Sequence, residues 1–279
     1  MTQTAAFDRP RRKARLLGAP FFADKSRKRL RDSNDLAASR EAELTSSFNN
    51  LKYLLRSRYD WMKPWIENAD VVVEIGSGSG FTPRYLERDI ILTDIVANDW
   101  LDLVMDGTKI AFGDDTVDVL VASNALHHFS RPMAFLNEAQ RILKPGGLLL
   151  LNEAYCSLLL RAALRIAQHE GYSFDVDVFD PDAIVNDPHD PWSGNNAISN
   201  LLFDRKAEFE ARLPGLRILL DVPHESLLFL ASGGVTAKLP VPQLPTRALD
   251  AIAFLDRMLV KAAPGFLALT RRTVLQKTG

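Results

Sequence analysis

The run Glu74-Ile75-Gly76-Ser77-Gly78-Ser79-Gly80-Phe81 sets a carboxylate two residues ahead of three glycines spaced at every second position. Such a turn lets a ligand press directly on backbone, because glycine lacks a Cβ and takes positive φ readily. A helix beginning near Phe81 would aim free N–H groups at an anion lying over the turn. Further along stand Asp94-Ile95, Asp106-Gly107 and Ser123-Asn124-Ala125-Leu126-His127-His128-Phe129. A carboxylate at a strand tip, as expected of Asp94, can accept both hydroxyls of a ribose through charge-assisted hydrogen bonds worth ~1.5–3 kcal/mol. Asp106 with the neighbouring backbone N–H could match the amino and ring-nitrogen edge of adenine. Imidazole titrates near neutrality and could take a proton from an attacking hydroxyl. Adjacent residues cannot both face one pocket, so His127 is expected to face substrate while His128 packs or caps.

These groups need a scaffold that brings strand ends together. From Asp70 onward apolar β-branched runs alternate with helical periodicity, which implies a parallel sheet with crossover helices. Strands are expected at 71–75, 90–93, 117–122, 147–152, 216–221 and 266–275. Helices are expected at 40–68, from Pro132 to Leu143, at 157–170 and at 196–212. Lys144-Pro145-Gly146-Gly147 is expected to stop the second of these helices. Val117-Asp118-Val119-Leu120-Val121-Ala122 is apolar at nearly every position, as a strand covered on both faces should be. The Asp- and Pro-rich segment 171–195 reads as an inserted loop, and 224–263 as an apolar capping addition. Residues 1–39 form a basic arm, with Arg9, Arg11, Arg12, Lys13, Arg15, Lys25, Arg27, Lys28, Arg29 and Arg31. The remainder, 40–279, is read as one domain.

The glycine spacing separates two ligand classes. A dinucleotide fingerprint needs glycine at its first, third and sixth positions. Counted from Gly76 the sixth position is Phe81, whose ring would block close helix–strand packing. Glu-x-Gly-x-Gly-x-Gly, then Asp94, Asp106-Gly107, the strand end at Asn124 and Leu143-Lys144-Pro145-Gly146-Gly147, resembles the type-11 branch of class I S-adenosylmethionine-dependent methyltransferases over about residues 70–155. Pro191-Trp192-Ser193-Gly194-Asn195-Asn196-Ala197 and Leu230-Ala231-Ser232-Gly233-Gly234 resemble features of uncharacterised bacterial members that accompany surface-polysaccharide genes. The resemblance implies an α/β, Rossmann-like fold: a seven-stranded, mainly parallel sheet with helices on both faces, an N-terminal helical arm and capping insertions. It implies S-adenosyl-L-methionine as cofactor. Glu74, Gly76, Ser77, Gly78, Gly80 and Phe81 would shape its methionine end, Asp94 and Ile95 would hold the ribose, Asp106 and Gly107 the adenine, and Asn124 would floor the site. Only about a dozen residues separate Asp94 from Asp106, too few for a full crossover helix. The adenine wall is therefore expected to be thin, or supplied by Tyr59, Trp61 or Trp65.

Bulk properties are those of a globular protein. The chain has 279 residues, 47% hydrophobic and 25% charged, and a net charge of −1 gives no argument for nucleic-acid affinity. The single cysteine, Cys156, excludes an internal disulfide and reads as a small core residue. No apolar run approaches the ~18 residues of a membrane span. A cytoplasmic location is expected, with peripheral contact to an anionic membrane through the basic arm. The Asp-rich loop with His189 shows no diagnostic metal-ligand spacing, so no metal is expected. The expected reaction is O-methylation of a sugar, glycan or small-metabolite hydroxyl. A nicotinamide-dependent oxidoreductase and a non-catalytic S-adenosylmethionine-binding protein are the alternatives.

Overall fold

The structure, a computed structural model, describes residues 20–22, 33–44, 49–167, 170–234 and 241–279. The basic side chains expected to form an arm lie outside the described residues. Helices α1 (Ser33–Leu44), α2 (Asn49–Tyr59) and α3 (Lys63–Ile66) lead into β1 (Val72–Ile75), α4 (Thr82–Leu86), β2 (Ile91–Asp94), β3 (Leu103–Val104), β4 (Val117–Ser123), α5 (Pro132–Ile142), β5 (Leu143–Ala154) and α6 (Leu158–Ala167). After the loop come α7 (Ile198–Phe203), α8 (Lys206–Arg212), β6 (Leu216–His224), α9 (Leu227–Ser232), α10 (Thr246–Ala262), α11 (Pro264–Leu267) and β7 (Thr270–Lys277). The strands form one seven-stranded sheet in the order β3-β2-β1-β4-β5-β7-β6. The pairs among β1 to β5 are parallel, and β7 runs antiparallel to both its neighbours. This is the Rossmann-like architecture expected.

Successive strand residues point to opposite faces, so a doubly covered strand supplies two cores. On one face Val73, Ile75, Leu120, Ala122, Leu149 and Leu151 pack with Phe135, Leu136, Ala139 and Ile142 of α5. On the other, Val72, Val119, Val121 and Leu150 meet Leu51, Leu55 and Tyr59 of α2 and Tyr85 and Leu86 of α4. Each Val, Leu, Ile or Phe among them contributes ~1.5–3 kcal/mol when fully buried. α5 carries Pro132 in its first turn, where the missing N–H costs nothing.

Several expected boundaries move. The helix expected over 40–68 is three pieces, and α1 runs across the expected boundary at residue 39. The helix expected over 196–212 is divided between α7 and α8. Helix α5 does end at Ile142, but Lys144-Pro145-Gly146-Gly147 lies inside β5; Gly146 takes φ +81° and the register with β4 shifts between Val117 and Val119. Phe266-Leu267, expected in the last strand, belongs instead to α11, which Pro264 starts, and the strand begins at Thr270. No helix separates β2 from β3; the chain turns at Asn98–Leu101 and pairs at once. In the capping addition Leu228, Leu249 and Val260 are buried, whereas Phe254, Leu255, Met258 and Leu259 are exposed. Among the described residues no helix is long and apolar enough to cross a membrane.

Candidate functional site

The carboxyl ends of β1, β2 and β4 open onto a cavity of about 450 Å³. The turn after β1 is its floor. Gly76, Gly78 and Gly80 all take positive φ, at +71°, +51° and +64°. A Cβ on Gly76 would sit 2.6 Å from the Ala125 Cβ, and one on Gly80 would sit 2.7 Å from the Trp100 ring. The turn is therefore closed to other residues both by backbone conformation and by space. It is also bolted in place. The Gly78 N–H donates to Asp94 Oδ2 at 2.8 Å, Trp100 Nε1 donates to the Gly78 carbonyl at 2.9 Å, and Arg40 Nη1 donates to the carbonyls of Ser79 and Gly80. The helix that follows, α4, has only five residues, so the turn's own backbone rather than a long helix shapes this end. Phe81 is buried in the second core with Tyr59 and Tyr85, away from the glycine-mediated helix approach of a dinucleotide fold.

Glu74 is 1% exposed. Its Oε1 accepts from the Thr82 hydroxyl at 2.6 Å, while its Oε2 is buried with no hydrogen-bond partner among the described residues. Burial pushes this carboxyl up to about 8, against the Thr82 hydrogen bond and with Asp94 adding repulsion. A buried acceptor without a donor costs about 1–3 kcal/mol, and the ammonium of an amino-acid ligand would satisfy it. Burial likewise raises Asp94, offset in part by the N–H groups of Val96 and Gly78 that its two oxygens accept.

Of the residues singled out in the sequence, Gly76, Ser77, Gly78, Phe81, Asp94, Ile95, Asp106, Gly107, Asn124 and His128 line the cavity; Glu74, Gly80 and His127 do not. Asp106 also accepts from the Thr108 N–H and hydroxyl, which makes it a turn former as well as a wall residue. Gly107 permits a close approach: a Cβ there would lie 2.6 Å from the Phe129 ring and 2.8 Å from Ile75. Ile95, 55% exposed, lines the cavity with the apolar side chains of Met105 and Phe129. Tyr59 reaches the cavity, while Trp61 and Trp65 pack against the second core. Asn124 takes φ +53°, a conformation that asparagine tolerates better than most residues.

The structure puts His128, rather than His127, on the cavity wall. His127 is 4% exposed and its Nδ1 lies 2.7 Å from Glu153 Oε2. Glu153 Oε1 accepts the N–H groups of Ala125 and Leu126, which fixes the turn that carries both histidines. His127 Nε2 lies 3.4 Å from Glu170 Oε2. Burial disfavours the imidazolium, but Glu153 and Glu170 outweigh it and push His127 up to about 9. A ring held in this way is a poor acceptor for a substrate proton. His128 is the one on the cavity wall, beside Ser130, Asp187, His189, Asp190 and Trp192. Part of the segment read as an inserted loop is thus the far wall of the site. Glu153 and Glu170 carried no motif signal; only their folding onto the histidines reveals them. Cys156 is buried and its thiol is pushed up to about 12, as a core residue should be.

Comparison with known proteins agrees with this geometry. Residues 73–151 match the family described as Methyltransferase domain, of type 11. The ubiquinone/menaquinone biosynthesis C-methyltransferase of Roseobacter denitrificans is 40% identical over 79 residues, 28% of this chain and 30% of that protein. A demethylmenaquinone methyltransferase of Mycobacterium tuberculosis is 35% identical over 74 residues, 23% of this chain and 32% of that protein. The chain spans about a third of the length of these curated relatives. Among solved structures, a SAM-dependent methyltransferase from Archaeoglobus fulgidus superposes with a TM-score of 0.50 at 15% identity, covering 81% of this chain and 93% of that one. The fold is that of the class I methyltransferases, whose cofactor is S-adenosylmethionine.

Proposed function

We propose that this chain, with its type-11 methyltransferase segment at residues 73–151, transfers a methyl group from S-adenosylmethionine to a hydroxyl on a sugar, glycan or small metabolite. The observation that carries the reading is the orphaned Glu74 oxygen beside a turn of three left-handed glycines. Bound there, S-adenosylmethionine supplies a methyl group already activated on a sulfonium. Glu74, buried behind the glycine turn, would accept from its ammonium through Oε2, the remaining lone pairs of Asp94 would hold its ribose, Ile95, Met105 and Phe129 would flank its base, and Asn124 would floor the site. Methyl transfer requires in-line positioning and exclusion of water, and orientation alone is worth ~7–11 kcal/mol.

The relatives named for quinone C-methylation match this chain over only 79 and 74 residues. The cavity lining here also includes His128, Ser130, Asp187, His189, Asp190 and Trp192, with Pro188 and Pro191 between them. Carboxylates and imidazoles that bind hydroxyls, set around an aromatic face that stacks on a sugar ring, fit a polyhydroxyl acceptor better than an isoprenoid one. The test begins with a calorimetric titration of S-adenosylhomocysteine into the wild type and Asp94→Ala. Micromolar binding that the variant weakens at least tenfold is expected. A labelled-methyl screen of nucleotide sugars and glycans then identifies the acceptor. Absence of wild-type binding would overturn the cofactor reading, and labelling only of apolar quinone-like acceptors would overturn the hydroxyl reading.

A further inference from the structure

The segment Trp192–Asn196, marked in the sequence but given no part in holding the cofactor, brackets a cluster of three side chains. The Asn195 N–H and the Asn186 side chain both donate to the His127 carbonyl. Asn196 Nδ2 donates to Glu170 Oε2 at 2.9 Å, and a Cβ on Gly194 would lie 3.3 Å from both Glu170 and the His127 ring. His128 Nδ1 lies 3.1 Å from the Ser193 carbonyl, which can only accept, so this nitrogen carries the proton. The same deduction holds at His127. Glu153 Oε1 accepts the N–H groups of Ala125 and Leu126, and Oε2 accepts that of Ala154, so the His127 Nδ1 that contacts Oε2 is again a protonated nitrogen.

The second nitrogens are thereby turned inward. His127 Nε2 is 3.4 Å from Glu170 Oε2 and His128 Nε2 is 3.8 Å from Glu170 Oε1. The three donor atoms lie within 4.8 Å of one another. Neighbouring ligands held about 2.1 Å from one ion stand about 3.0–3.5 Å apart, so a small closure brings these three onto a common centre. A metal-binding histidine commonly donates Nδ1–H to a carboxylate or carbonyl, which fixes the ring and leaves Nε2 to face the ion.

We propose that His127 Nε2, His128 Nε2 and a Glu170 oxygen bind one divalent first-row transition cation of the zinc type. Two imidazoles and one carboxylate form the donor set of open zinc sites, in which further positions are left to water or substrate. His128 lines the main cavity, so those positions would adjoin the acceptor wall. Glu153, Ser193 and Asn196 act as positioning groups, and the Trp192–Asn196 segment is the clamp that holds the ligands in register.

The test uses the full chain without a histidine tag, stripped with chelator and titrated with Co²⁺, then with Zn²⁺ in competition. About one equivalent of Co²⁺ with visible bands of nitrogen and oxygen ligation is expected, displaced by Zn²⁺. His128→Ala and Glu170→Gln should each weaken binding by more than about 100-fold, and Glu153→Gln by about 10–100-fold through the orientation of His127. Thermal melts of each variant establish that it is folded, and the wild-type titration needs no variant. Absence of Co²⁺ bands in folded wild type would overturn the proposal and leave the cluster as a buried ion triad. So would binding that survives in folded His128→Ala, since the ion would then sit on other donors. Neither readout involves S-adenosylmethionine or methyl transfer, so failure here leaves the cofactor reading intact, and the reverse.

Discussion

Removing the Glu74 carboxylate should uncouple cofactor binding from protons. In the empty site burial holds this carboxyl at about 8, against an ordinary 4.5, so at pH 7 about 0.9 of the molecules carry it protonated. An ammonium against Oε2 favours the ionised form, and binding must then expel that proton. Affinity should rise with pH, and for a pKa of about 8 the gain from pH 6 to pH 8 is about 50-fold. The assay is calorimetry of S-adenosylhomocysteine at pH 7 in two buffers of different ionisation enthalpy. The slope of observed enthalpy gives the protons released, expected at about 0.9 for wild type and near zero for Glu74→Gln. The unliganded protein gives an independent check of opposite sense. A carboxyl raised in the folded state contributes stability that is fully present below about 4.5 and is lost as pH rises through about 8. The melting temperature should therefore fall across that window, less so in Glu74→Gln. Buffer-independent enthalpies for wild type at pH 7, or a full pH slope surviving in Glu74→Gln, would refute the assignment of Glu74 to the ammonium.

Other substitutions test the remaining parts. Gly76→Ala combines a left-handed φ, costing ~1–2 kcal/mol, with a 2.6 Å approach to Ala125; a stability loss of at least about 2 kcal/mol by urea titration is expected, with loss of cofactor binding. Gly107→Ala displaces the Phe129 ring, which stacks on Phe135 at 4.5 Å between centroids, and should weaken S-adenosylhomocysteine more than tenfold with a modest change in melting temperature. Arg58 makes a bidentate pair with the fully buried Glu225, joining α2 to the cap. Arg58→Met should cost about 3–5 kcal/mol in denaturant unfolding by stranding that carboxylate, and the double variant Arg58→Met/Glu225→Met should recover most of the loss.

Local signals suffice for the glycine turn and for five of the strands, but not for the two-residue β3 or for the start of β7. β-branched runs, a carboxylate at a strand end and glycines at alternate positions act over a few residues, and their physics is readable in order along the chain. The missing crossover helix between Asp94 and Asp106 is legible for the same reason, as the intervening chain is too short for a full one. What escaped was built across distance. Glu153 and Glu170 lie 26 and 43 residues beyond His127, so nothing adjacent to either marks it as that histidine's partner. That His128 rather than His127 lines the cavity turns on which ring Glu153 captures, a consequence of strand register rather than of spacing. Phe266-Leu267 was misassigned because a short apolar run has no period that separates strand from helix, and Pro264 decided it for the helix.

The place of β7 has a bearing on how the molecule assembles. It lies between β5 and β6 and is the sole described partner of β6, yet it is the last strand in chain order. While the polypeptide emerges from the ribosome, the five strands from β3 to β5 can pair as soon as they are made. The edge of β5 and the whole of β6 must wait with their backbone groups unmatched until residues 270–277 arrive. Closing so long a loop is entropically slow, and unmatched strand edges are where chains join wrongly. A late-sealing seam of this kind is where a chaperone would be most useful, and where a nick or deletion in the final strand would leave β6 without its described strand partner, held by contacts such as those of the cap with α2.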